Sequence, residues 1–190
     1  MSAERANLDP HPVTALVTGA TSGIGRAVAE RLAADGMSVV VAGRNAQRGA
    51  ETVEEITTVG GRARFVAADL EEPAGIDRLA AEVGEIDVLV NNAGQAVMAP
   101  TEEMKLSDYD AMFASNVRAP FFLVAASAPA MAAKGSGSVI NIGSMAGSLG
   151  LATAAAYGAT KAALASLPRG GPTQQAMAAR RFGRLPVHGR

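Results

Sequence analysis

Residues 13–35, VTALVTGATSGIGRAVAERLAAD, decide the fold of this chain. The first part, Val13 to Ala20, is apolar and rich in β-formers, as a buried strand requires. It breaks into glycines at Gly19, Gly23 and Gly25, and an amphipathic helix is expected from about Gly23 to Asp35. Strand, glycine turn and helix in this order let a phosphate group approach a helix N-terminus, where unpaired amides and the helix dipole favour negative charge. The spacing is Gly-x-x-x-Gly-x-Gly and not the commoner Gly-x-Gly-x-x-Gly of dinucleotide folds. The same glycines would also serve plain close packing of strand against helix.

Outward from this stretch the alternation repeats. Strands are expected at Ser38 to Ala42, Ala63 to Ala68, Ile86 to Val90 and Ser138 to Ile142. Helices are expected from about Ala46 to Val59, Glu72 to Val83 and Leu106 to Ala133, and again between Ala154 and Leu167. Such alternation predicts an α/β fold with a parallel sheet, right-handed crossovers and helices on both faces. Ligands of these sheets collect at the C-terminal ends of the strands, where Gly19, Arg44, Asp69, Asn91 and Ser144 all fall.

Length and composition set the frame. A chain of 190 residues suits one domain, expected over residues 13–167 with an N-terminal tail at 1–12. The chain is 48% hydrophobic and 18% charged, which suits a packed domain, and its net charge of -1 argues for neither a nucleic acid nor a membrane partner. It has no Cys, which excludes disulfides and Cys-ligated metals, and no metal site is expected. The start, MSAERANLDPHP, has no apolar core of a signal peptide, and the apolar run from Ala119 to Ala133 is short and interrupted by Pro120 and Pro129. A soluble, cytoplasmic protein is expected.

Several positions carry chemistry of their own. No acid follows the second strand to meet a ribose 2′-hydroxyl. Arg44 stands there instead, either as a surface residue or as a partner for a 2′-phosphate. Asp69 could accept from an adenine amino group or cap the next turn. Asn91-Asn92-Ala93-Gly94 suits hydrogen bonding between strands and close approach of a ligand. Pro120 has no amide for the carbonyl of Asn116, so that carbonyl is left open as a water site or the helix simply kinks. In AAAYGATKAALASL, residues 154–167, Tyr157 and Lys161 lie one helical turn apart on one face. A phenol ionises at about pH 10 in water, and a nearby cation favours its charged form, so the pair suits proton transfer.

Together these motifs resemble the short-chain dehydrogenase/reductase family across about residues 13 to 167: Thr18 to Gly25, Asp69-Leu70, Asn91 to Gly94, Asn116, Ser144, and Tyr157 with Lys161. The resemblance implies a doubly wound Rossmann sheet ordered 3-2-1-4-5 and hydride transfer between a nicotinamide cofactor and a small carbonyl or alcohol substrate. It implies that Tyr157 is the general acid in reduction and the base in oxidation. Lys161 would assist Tyr157 and hold the nicotinamide ribose, Ser144 would bond the substrate oxygen, and Asn116 would hold a relay water. The dinucleotide would lie against Gly19, Thr21, Ser22, Gly23, Ile24, Gly25, Arg44, Asp69, Leu70, Asn91, Ala93 and Gly94, as well as Tyr157 and Lys161. With Arg44 in place of an acid, NADP(H) is favoured over NAD(H).

The chain departs from the family's pattern after Leu167. Pro168 stops the last helix, and residues 168–190, with five Arg, four Gly and three Pro but no acid, contain no run that reads as a strand. This stretch is expected to be disordered, with the composition of a shifted reading frame, and the family's last strands are expected to be missing. The alternative to an active enzyme is therefore a truncated, inactive remnant that at most binds a dinucleotide or a protein partner. The resemblance also implies a homo-oligomer formed through the helices of Asn116 and Tyr157, an expectation that the missing strands weaken.

Overall fold

The stretches richest in apolar and β-branched residues, with the arginine-interrupted run at 62–67, form a five-stranded parallel sheet in the computed structural model, which describes residues 13–167. The expectations for residues 1–12 and 168–190 lie outside the described residues. The strands are β1 (Thr14–Thr18), β2 (Ser38–Gly43), β3 (Arg62–Ala67), β4 (Val88–Asn91) and β5 (Ser138–Asn141), in the order β3-β2-β1-β4-β5. The connecting helices are α1 (Gly23–Ala34), α2 (Ala46–Thr58), α3 (Pro73–Val83), α4 (Leu106–Phe113) and α5 (Ala119–Lys134), and α6 (Ala155–Ser166) follows β5. This is the doubly wound α/β fold read from the sequence.

Alternate residues of the central strands feed two cores, because successive side chains leave a strand on opposite faces. Ala15, Val17, Val39 and Val41 pack with Ala29 and Ala33 of α1 and Ile56 of α2 on one face. Leu16, Val40 and Leu89 pack with Ile76 and Leu79 of α3 and Leu123 and Met131 of α5 on the other. Strand order reverses at β1, whose neighbours are β2 and β4, and that reversal opens a crevice at the C-terminal strand ends. Among the described residues β5 pairs only with β4 and exposes Ile140.

The long helix expected from Leu106 to Ala133 is not uniform. Between α4 and α5 lies a π-helical turn, Ala114–Arg118, in which the amide of Ala119 donates to the carbonyl of Ala114, five residues back. Pro120 has no amide to continue the ordinary ladder, and the helix widens immediately before it. Leu106–Lys134 is long and apolar enough by length and composition to cross a membrane, yet Met112, Asn116, Leu123 and Met131 on it are buried in this fold.

Candidate active site

The loop after β1 is built around close approach. Gly19 takes a φ of +64°, and a Cβ there would lie 2.9 Å from the Cα of Ala93. A Cβ on Gly25 would lie 2.3 Å from Asn92 Nδ2 and 2.4 Å from the carbonyl oxygen of Gly19, so only glycine lets α1 come down on this loop. Thr18 and Asn92 close the structure from the β4 side. The Thr18 hydroxyl donates to the Val90 carbonyl and accepts from the amides of Asn92 and Ala93, while Asn92 Nδ2 donates to the carbonyls of Thr18 and Gly19. Ser22 precedes α1 without a side-chain cap, so the first amides of that helix face the crevice unblocked.

The crevice is a cavity of about 400 Å³ lined by the Gly19 to Ile24 loop, the β2 end with Arg44 and Arg48, Ala68 to Glu71, and Asn92 to Gln95 with Ser115. A glycine cradle, an uncapped helix N-terminus and two guanidinium groups form a donor set that fits a phosphate-bearing dinucleotide. At its outer end Arg44 donates to Glu71 Oε1 at 2.7 Å. Asp69 Oδ1 accepts from the Glu71 amide at 3.0 Å, which is the turn-capping alternative considered for this residue, and Asp69 lines the cavity as well.

The inner end of the cavity leads to the candidate catalytic groups through Gly94. A Cβ on Gly94 would lie 2.8 Å from Asn116 Oδ1 and 3.8 Å from Lys161 Nζ. Asn116, fully buried on the π turn, accepts from the Gln95 amide at 2.9 Å and from Ser115 Oγ at 3.0 Å. It donates to the Gln95 carbonyl at 2.8 Å and to Thr160 Oγ1 at 3.0 Å. One side chain thus joins the β4 loop to α6, one residue before Lys161.

Lys161 is only 6% exposed and donates to the carbonyl of Ile142 at 2.8 Å, with its ammonium 5.9 Å from the centre of the Tyr157 ring. Burial pushes its pKa below the ordinary lysine value, because removal from water penalises the charged form. Ser144 opens a 3-10 turn, Met145–Gly147, that packs on α6 through two glycines. A Cβ on Gly158 would lie 2.5 Å from the Ala146 carbonyl oxygen, and one on Gly147 would lie 3.0 Å from the backbone at Lys161 and Ala162. Ser144 Oγ accepts from the Ala146 amide at 3.2 Å, and its hydroxyl proton remains to be given to another oxygen.

Most residues singled out in the sequence come together here, but not all in the expected way. Gly19, Thr21, Ser22, Gly23, Ile24, Arg44, Asp69, Leu70, Ala93 and Gly94 line the cavity, with Gly25 packed beneath the loop. Asn91 does not line it. Buried in β4, it donates to Asn141 Oδ1 of β5 at 2.9 Å, while Asn92 faces the cavity in its place. Arg48, Gln95 and Thr160 were not foreseen. Arg48 had a signal, since it sits in the first turn of the helix after Arg44; Thr160 had only its place beside Lys161.

The family model for short chain dehydrogenase matches residues 13–176. The chain is 43% identical over 159 residues to sorbitol dehydrogenase of Cereibacter sphaeroides, covering 81% of this chain and 61% of that protein. It is 40% identical over 159 residues to 3beta-hydroxysteroid dehydrogenase of Mediterraneibacter gnavus, covering 81% of this chain and 57% of the relative. The crystal structure of a metagenomic short-chain oxidoreductase in complex with NADP superimposes with a TM-score of 0.78 at 41% identity, covering 82% of this chain and 72% of that one. The chain therefore spans roughly three fifths of the length of these two curated relatives. With the sheet order, the glycine cradle and the Tyr157–Lys161 face all in agreement with such a match, the chain belongs to the short-chain dehydrogenase family.

Proposed function

We propose that this protein is a soluble, cytoplasmic oxidoreductase that transfers a hydride between a nicotinamide cofactor, NADP(H) in preference to NAD(H), and a small carbonyl or alcohol substrate. The observation that carries the reading is the buried Lys161 ammonium, held by the Ile142 carbonyl beside Tyr157 and within reach of Gly94, where the cavity ends. A bound dinucleotide would supply the hydride. The chain's own groups handle binding and the proton. The Gly19 loop and the α1 N-terminus hold phosphate oxygens, and Arg44 and Arg48 face the ribose end.

In reduction Tyr157 gives its phenolic proton to the substrate oxygen, and in oxidation it takes that proton back. The ammonium of Lys161 meets the charge left on the phenol, and Ser144 donates its hydroxyl proton to the same substrate oxygen. Asn116 acts by positioning, since its amide fixes Gln95 on one side and Thr160 on the other. The absence of an acid at Ala42 or Gly43, together with Arg44 and Arg48 on the cavity wall, supports the preference for a 2′-phosphate. Phe121 and Phe122, about half exposed on α5, support self-association through that helix.

The test is reduction of a panel of ketones with NADPH by the unmutated protein and by Tyr157→Phe. The variant keeps the ring and loses the proton donor, so turnover falls by on the order of 100-fold or more while dinucleotide affinity holds. A Phe variant with unchanged turnover would refute the role given to Tyr157.

A further inference from the structure

The ribose end of the cavity contains a carboxylate that the proposed chemistry does not use. Four charged residues line the cavity: Arg44, Arg48, Asp69 and Glu71. The Asp69 carboxylate is turned toward the amide of Glu71. The Glu71 carboxylate instead meets Arg44 at 2.7 Å, from 27 residues away in sequence. Its backbone is held independently of its side chain, since the Glu71 amide donates to Asp69 and its carbonyl accepts from Arg118 Nη2. The carboxylate is therefore presented to Arg44 from a fixed point, and removing it leaves those backbone contacts in place.

We propose that Glu71 is a specificity-determining residue, which holds Arg44 as an internal counter-anion and thereby limits how strongly the site prefers a 2′-phosphorylated dinucleotide. This inference rests on the reading of the cavity as a dinucleotide site with Arg44 toward the 2′-phosphate. A phosphate arriving there must draw Arg44 away from Glu71 and come to rest near a carboxylate of like charge, and both effects oppose it. A ribose with a free 2′-hydroxyl meets the opposite situation, because an acidic side chain can accept from that hydroxyl. Glu71 thus acts on the ratio of the two affinities. The Arg44 side chain is 64% exposed and that of Glu71 31%, so solvent screens the pair. Exposed ion pairs correspond to changes of about one and a half to fivefold, and relief of the like-charge repulsion is of similar size. The expected change is about three- to tenfold.

The experiment is a calorimetric titration of NADP+ and NAD+ into the unmutated protein, Glu71→Gln, Arg44→Ala and the double variant, with thermal melts to establish that each is folded. Glu71→Gln is expected to raise the NADP+ to NAD+ affinity ratio by about three- to tenfold. Arg44→Ala should lower the ratio toward one, and adding Glu71→Gln to it should raise the ratio clearly less than Glu71→Gln does alone, because only the direct effects of the carboxylate on the ribose end are then relieved. Glu71→Ser repeats the measurement without the glutamine amide, and Glu71→Asp should restore the low ratio. If the unmutated protein binds both dinucleotides and Glu71→Gln leaves the ratio unchanged or lowers it, the proposal is wrong. An equal rise in the Arg44→Ala background also overturns it, because the effect would then be a general field and not the holding of Arg44. Binding of neither dinucleotide by the folded, unmutated protein refutes the dinucleotide reading itself.

Discussion

Replacing Asn116 with Ala removes a fully buried amide that makes four hydrogen bonds. Two of its partners have other bonds to take up: the single Ser115 hydroxyl proton, shared with Asn116, turns wholly to the Ala111 carbonyl, and Thr160 Oγ1 keeps its bond to that of Tyr157. The groups left without a partner are the amide and carbonyl of Gln95. A polar group stranded in this way costs about 1–3 kcal/mol, and entry of water into the vacated space recovers part of it. The expected loss is therefore about 2–5 kcal/mol, which at about 2–4 °C per kcal/mol for a domain of this size lowers the melting temperature by roughly 4–20 °C. Thr160→Val serves as the scale, because it takes away one of the four bonds together with the hydroxyl's own bond to the Tyr157 carbonyl, and should cost about 1–2 kcal/mol. Thermal and urea unfolding, each followed by circular dichroism, measure both variants. A loss below about 1 kcal/mol for Asn116→Ala would mean that Gln95 finds other partners, and that Asn116 does not tie the β4 loop to α6.

Two further outcomes follow from packing and charge. Gly25→Ala should cost about 1–3 kcal/mol, because its Cβ meets Asn92 and the backbone of Gly19, whereas Gly150→Ala, with open space around it, should stay within about 0.5 kcal/mol. Equal urea midpoints for the two variants contradict the close approach of α1 to the loop. For Lys161 the folded pKa lies below the ordinary 10.5, so the desolvation penalty is fully present below the folded value and is relieved as pH rises from there to 10.5. The unmutated protein should accordingly gain stability over that window relative to Lys161→Met, which has no proton to lose. A stability difference between the two that is constant from neutral pH to 10.5 would show that Lys161 carries no such penalty.

The chain reveals its local rules readily. Gly19 and Gly25 mark a loop where side chains do not fit, and the structure supplies the obstacles, Ala93, Asn92 and the Gly19 carbonyl. The four-residue spacing of Tyr157 and Lys161 puts them on one helix face wherever that helix lies. Asn91 and Asn92 show where such reading stops. The strand expected to end at Val90 continues to Asn91, which pairs in register with Asn141, so its side chain serves the sheet and its neighbour serves the cavity. Pro120 signalled a fault in the long helix, but local sequence did not show that the fault is a π turn burying Asn116 against Gln95 and Thr160.

By itself, then, the sequence determined the alternation of strands and helices, the glycine turn and the Tyr–Lys face, because each depends on sterics or periodicity within a few residues. The tertiary structure alone decided the partners: Glu71 for Arg44, Ile142 for Lys161, Thr160 for Asn116 and Asn141 for Asn91. Those pairs lie 27, 19, 44 and 50 residues apart. They meet because the strand order brings the ends of β1, β2, β3 and β4 to one crevice and folds the β5 loop and α6 against its inner edge. A side chain's local pattern indicates the face it occupies; only the order of the strands brings it a particular neighbour.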